Sequence, residues 1–87
     1  MTANTTNLIT EAIKDAAEAT AKNGTIICYA DPNCGGWAWK NDEGDYIASG
    51  PIGYDAEFYG ERWSDEYNDN MAAVAVALID AGYEVAQ

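Results

Sequence analysis

Between residues 7 and 22 the apolar positions recur at helical spacing. Ile9, Ala12, Ile13, Ala16 and Thr20 share one face, with Leu8 and Ala17 at its edges. Glu11, Lys14, Glu18 and Lys22 take the opposite face, and Glu18 precedes Lys22 by four residues, the favourable order for a helical ion pair. Thr6 or Asn7 offers the N-cap and Asn23-Gly24 the stop, so 1–6 is expected to be a flexible tail. From Thr25 to Ala30 the period drops to two, which predicts a strand with Ile26 and Cys28 on one side and Ile27 and Tyr29 on the other. After a turn at residues 31–36, Trp37-Ala38-Trp39 begins a second strand. Residues 41–45 form a hairpin loop with Gly44 at its left-handed position, and Tyr46 to Ser49 make the third strand, closed by Gly50-Pro51. The pattern weakens from Tyr54 to Trp63, which suits a short helix broken at Gly60 or an ordered loop. Ser64 or Asp65 then caps a second long helix running to about Ala81, whose core stripe is Tyr67, Met71, Val74, Ala75 and Leu78. Gly82 ends it, and Tyr83-Glu84-Val85 alternates as a short further edge strand would.

This order, α-β-β-β-α, predicts a single α+β domain over residues 1–87. The simplest compact solution is a three-stranded antiparallel sheet with both helices packed on one face. Trp37 and Trp39 are expected to cover the core, since a domain this small needs its largest side chains there. No apolar run reaches the length of a membrane span, and the N-terminus shows no basic stretch followed by an apolar one, so the chain reads as cytoplasmic. Cys28 and Cys34 are then expected as reduced thiols, Cys28 serving as a small core residue.

Charge changes the picture. Fifteen acids against four bases give a net charge of −11. Such a field repels nucleic acid and anionic lipid and attracts basic proteins. No histidine is present, no glycine-rich phosphate loop appears, and neither Ser49 nor Ser64 sits in a nucleophile motif. The composition therefore argues against an enzyme and against a cofactor. Two thiols without histidine do not make a closed zinc site, and the acids of the 41–45 loop lack the terminal bidentate residue of a calcium loop, so no metal is expected.

Nine of the fifteen carboxylates fall between Asp42 and Asp69: Asp42, Glu43, Asp45, Asp55, Glu57, Glu61, Asp65, Glu66 and Asp69. Turn chemistry accounts for the first three, and the helix dipole for the last three. Asp55, Glu57 and Glu61 have no such local reason. Closely spaced carboxylates imitate the phosphate ladder of DNA, and Tyr54, Tyr59 and Trp63 are the candidate aromatic anchors beside them. In size, acidity and αβ order the chain resembles the small acidic anti-CRISPR proteins of phages and mobile elements, a group without a common residue motif. That resemblance implies a non-enzymatic inhibitor in the host bacterial cytoplasm, whose partner is a CRISPR effector subunit and whose target is its DNA-binding or PAM-reading surface; the sequence does not set the oligomeric state, and a monomer is the favoured reading. An immunity protein against a basic nuclease toxin uses the same acidic face, and a small accessory protein whose charge serves solubility is the third reading.

Overall fold

The computed structural model describes residues 3–31, 35–49, 59–61 and 63–86. Helix α1 spans Ala3–Asn23. Three strands follow, β1 (Ile26–Ala30), β2 (Trp37–Asn41) and β3 (Tyr46–Ser49). Helix α2 covers Asp65–Asp80, and β4 is the two-residue strand Glu84–Val85. The expected α+β order stands, with one correction to the sheet. It has four strands in the order β3-β2-β1-β4. Strands β1, β2 and β3 are antiparallel neighbours, whereas β4 runs parallel to β1. The reason is α2, which returns the chain so that it enters β1's outer edge in β1's own direction. Ala86 N–H extends that pairing by donating to the Cys28 carbonyl at 2.8 Å.

Residues paired directly across strands share a face. Register therefore puts Ile26, Cys28, Trp37, Trp39, Ala48 and Val85 together. The first four join Leu8, Ala12, Ala16 and Ala19 of α1 and Tyr67, Val74 and Leu78 of α2 in one buried cluster, so both helices cover that face. On the other face Lys40 Nζ lies 5.3 Å from the centre of the Tyr29 ring, in cation–π range. Ile47 is the extra residue of a bulge, since Trp39 pairs with Ala48 and Lys40 with Tyr46. Both tryptophans are in the core, and the Trp37 indole N–H donates to the Met71 carbonyl of α2 at 3.1 Å.

Two expectations about the helices need correction. The buried stripe of α1 is Leu8, Ala12, Ala16 and Ala19, with Ile9 and Ile13 only half-buried and Ala17 exposed. Three alanines on the inner face let α1 approach the sheet and α2 closely, which the larger isoleucines would prevent. Nor is 3–6 a tail. The helix starts at Ala3 because Thr5, buried, donates its hydroxyl to Asn70 Oδ1 at 2.7 Å. Asn70 is 3 % exposed, and its Nδ2 donates to the Tyr59 carbonyl at 3.0 Å. One amide thus joins the start of α1, the first turns of α2 and the segment before it. Periodicity missed it, because an asparagine on a helix reads as a surface residue.

The ends of α2 obey local rules. Ser64 Oγ accepts from Tyr67 N–H at 3.1 Å, as an N-cap should, and Tyr83 N–H closes the C-terminus on the Leu78 carbonyl at 3.0 Å. No helix among the described residues is long and apolar enough to cross a membrane.

Replacing Asn70 with leucine removes the buried bond to the Thr5 hydroxyl and takes the amide donor from the Tyr59 carbonyl, and a buried polar group that loses its partner costs about 1–3 kcal/mol. Asn70→Leu is therefore expected to lower the unfolding free energy by roughly 2–4 kcal/mol. Asn68→Leu, on the exposed side of the same helix, should stay within about 0.5 kcal/mol of the parent. Urea titrations of the two variants check this.

Candidate functional site

The carboxylates that the sequence groups as one ridge are divided by the fold. Asp42, Glu43 and Asp45 sit on the β2–β3 hairpin, all exposed. Asn41 builds that loop: its Oδ1 accepts from Glu43 N–H at 3.0 Å and from Asp45 N–H at 2.8 Å. Gly44 takes a φ of +90°, the left-handed turn position that other residues adopt at a cost. Asn41 pairs with Ile26, so the hairpin lies at the end of the sheet where β1 begins.

The second acidic group lies at the other end. Glu61, Asp65, Glu66 and Asp69 are exposed around the start of α2. This helix start is held where β1 ends, because the Tyr67 hydroxyl accepts from Gly36 N–H at 3.1 Å, next to Trp37, which pairs with Ala30. Four residue steps of β1 separate the two levels, about 13 Å at ~3.3 Å per residue, in a domain 32 Å in its longest dimension. Of the four bases, Arg62 adjoins Glu61 in the sequence and lies outside the described residues. Lys14 is midway along α1, Lys22 is in its last turn, and Lys40 adjoins the hairpin. The acids at the helix start also meet the positive end of the α2 dipole.

Each proposed anchor has its own outcome. Tyr59 is 1 % exposed and belongs to the core, so a surface role for its ring is corrected. Its hydroxyl accepts from Trp37 N–H at 3.3 Å, and its ring lies 6.2 Å from that of Tyr67. Trp63, by contrast, is 66 % exposed. It packs edge-on against Tyr67 at 5.6 Å between ring centres. Its φ is +70°, the left-handed region in a residue with a Cβ. Gly60, at φ +97°, lies under the Glu66 side chain, where a Cβ would come within 3.1 Å of the carboxylate. Glu66 is thus laid back over the segment that precedes the helix. Tyr54, Asp55 and Glu57 lie outside the described residues, as does Cys34.

Among the described residues no group of three or more histidine, cysteine, aspartate or glutamate side chains is arranged to hold a metal ion. Cys28 is fully buried on the core face of β1, and burial raises its thiol to about 12. Tyr59 is raised above the ordinary phenol range, first by burial, with the Trp37 N–H opposing and the neighbouring Tyr67 and Asp15 adding to it. Neither group is available as a nucleophile near neutral pH. What the helix-start end presents is charge and one exposed indole. Protein-family models, curated proteins and solved structures contain no match to this chain.

Both shifts make the folded chain harder to deprotonate than the unfolded one. Their stabilisation is complete below the unfolded thiol value of 9.0 and is lost as pH rises towards the folded value of about 12. The denaturation midpoint should be level from about pH 7 to 8.5 and fall steadily above it. Cys28→Ala should make the first part of that fall shallower. A midpoint that holds constant to pH 11 would refute the burial account of both groups.

Proposed function

We propose that this domain is a non-enzymatic inhibitor that seats the helix-start end on a cationic, nucleic-acid-binding surface of another protein and excludes the nucleic acid. The observation that carries this reading is the exposed Trp63 indole at the start of α2, in a segment whose Glu61, Asp65, Glu66 and Asp69 are exposed and outnumber its one base, Arg62. Carboxylates in water gain little from any one lysine or arginine, but several acting together steer a basic partner and set its approach. An aromatic ring within the same patch supplies the desolvated contact that charges lack, and its face suits an arginine guanidinium.

The resemblance to small acidic anti-CRISPR proteins makes a CRISPR effector the partner we propose, met at its DNA channel or PAM-reading surface in the bacterial cytoplasm. There a phosphate-like array competes for the lysines and arginines that otherwise hold DNA. The hairpin acids stand about 13 Å or more from this patch by strand geometry, so they act as long-range field and not as contacts.

Reversing three charges at the helix start, Asp65→Lys with Glu66→Lys and Asp69→Lys, should weaken capture of the partner by ~100-fold or more. The matching hairpin triple, Asp42→Lys, Glu43→Lys and Asp45→Lys, should weaken it by no more than ~3-fold. Trp63→Ala should cost about 2 kcal/mol, or roughly 30-fold, in affinity. The assay is retention of host-lysate proteins on the immobilised domain, with elution by rising salt, mass-spectrometric identification and competition by duplex DNA. Equal loss from the two triples would remove the helix-start end as the contact. A nuclease toxin in the eluate would assign the same surface to immunity.

A further inference from the structure

Helix α2 buries Tyr67, Asn70, Val74 and Leu78 on its inner side, yet the side turned away from the core is apolar as well. Val76 is 58 % exposed and Ile79 54 % exposed. With the exposed Ala72 they keep the i, i+4, i+7 spacing of one helical face. From Asn70 to Ile79 the helix carries no charge, and Asp69 and Asp80 bracket the stripe. Single apolar residues on a surface are ordinary. An aligned set over two turns, in a chain of fifteen acids and four bases, is a contact surface that the fold itself does not use.

Charge decides what covers it. A cationic protein is drawn to carboxylates and finds none along the stripe, while an anionic lipid surface repels a chain of net charge −11. A second copy meets the least repulsion where neither chain is charged, and it brings an identical stripe. The flanking acids then set the direction. A parallel pair would oppose Asp69 to Asp69 and Asp80 to Asp80. In an antiparallel pair crossing at Val76, Asp80 comes level with Ala72 and Asp69 with Tyr83, so no two carboxylates face each other and the helix dipoles run in opposite senses. Ile79 comes level with Ala73, whose small side chain leaves room for it. We propose that two copies of this chain associate through Ala72, Val76 and Ile79, α2 against α2, as a weak antiparallel dimer. It replaces the monomer favoured on sequence. Two turns of helix bury less than the ~800 Å² per partner of a standard stable interface, which makes the pair weak. Asp65 and Glu66 lie about 15 Å or more along the helix from Val76, at ~1.5 Å per residue, so both helix starts stay open.

The dimer is independent of the helix-start end, so failure of one leaves the other standing. Salt tells them apart. Capture of a basic partner weakens as salt rises, whereas self-association strengthens because repulsion between two acidic chains is screened. The test is sedimentation velocity of the full chain from ~10 µM to ~1 mM, at ~20 mM and ~0.5 M sodium chloride. Half-association is expected near 100 µM at the higher salt, to within about threefold, and at a ~10-fold higher concentration at the lower. Amide signals of Ala72, Val76 and Ile79 in the ¹⁵N-labelled chain should move with concentration over the same range. Val76→Glu should abolish the dimer and Ile79→Ser weaken it by ~5-fold or more, both with urea midpoints near the parent's because these side chains are exposed. Ala72→Lys should tighten it by ~3-fold, since the ammonium falls beside Asp80 of the second copy. A parallel pair would oppose the two new lysines and weaken instead. Trp63→Ala should leave association unchanged. A monomer across the whole range, which would give the stripe to a different partner, would overturn the proposal. So would association that weakens as salt rises, a dimer that survives both Val76→Glu and Ile79→Ser, weakening by Ala72→Lys, or loss of the dimer in Trp63→Ala.

Discussion

A buried amide holds the described parts of this domain in one arrangement. Asn70 accepts from Thr5 and donates to the Tyr59 carbonyl, at a point where two helices and a connecting segment meet. An apolar side chain of that size would bury as much surface and serve the hydrophobic term as well. It would not say where α1 starts, nor which turn of α2 faces it. Hydrogen bonds in a dry site are directional and expensive to leave unmade, so they select one register among several that packing alone would allow. The Tyr59 and Tyr67 hydroxyls do the same for the start of β2, by accepting the N–H groups of Trp37 and Gly36. The apolar contacts supply the stability, and these few polar ones supply the alignment.

That division explains what could be read from the sequence. Strands β1, β2 and β3 were legible within a residue, because alternation, the Asn41–Asp45 turn signals and the paired tryptophans agree with one another. Helix α2 was legible too, with its Ser64 cap and the Tyr67, Val74 and Leu78 stripe. The start of α1 and the role of Asn70 were not, since each depends on a partner some 65 positions away in sequence, the separation of Thr5 and Asn70. The parallel pairing of β4 was hidden for a similar reason. Two residues carry no signal of direction, and direction came from where α2 delivered the chain. Tyr59 was misread by composition: among acids and glycines an aromatic looks like a surface anchor, and only the packing against Tyr67 and Trp37 shows otherwise.

The acidic surface was legible as composition and illegible as geometry. Nearness along the chain suggested one ridge from Asp42 to Asp69, yet β3 and the segment after it intervene, and the strands place the two groups at opposite ends. Repulsion makes that separation physically reasonable. Carboxylates in water interact weakly at such spacing, with a screening length of about 8 Å at physiological salt, whereas the same groups crowded into one patch would oppose folding. The group at the start of α2 is tolerated because the helix's free N–H ends offset it.

Trp63 is the residue for which stability offers the weakest account. The chain must reverse before Ser64, whose extended backbone (φ −74°, ψ 165°) aims its hydroxyl at Tyr67 N–H, and a left-handed residue just ahead of the cap achieves that reversal. Glycine does so freely; a residue with a Cβ pays about 1–2 kcal/mol. Edge-on packing against Tyr67 returns about 0.5–1.5 kcal/mol. The two nearly cancel, so the folded chain gains almost nothing from an indole that remains two-thirds in water. Were the turn the only requirement, glycine would meet it with less strain and less exposed apolar area. A tryptophan in that position, left exposed on a backbone that disfavours it, fits a surface shaped for contact with something else.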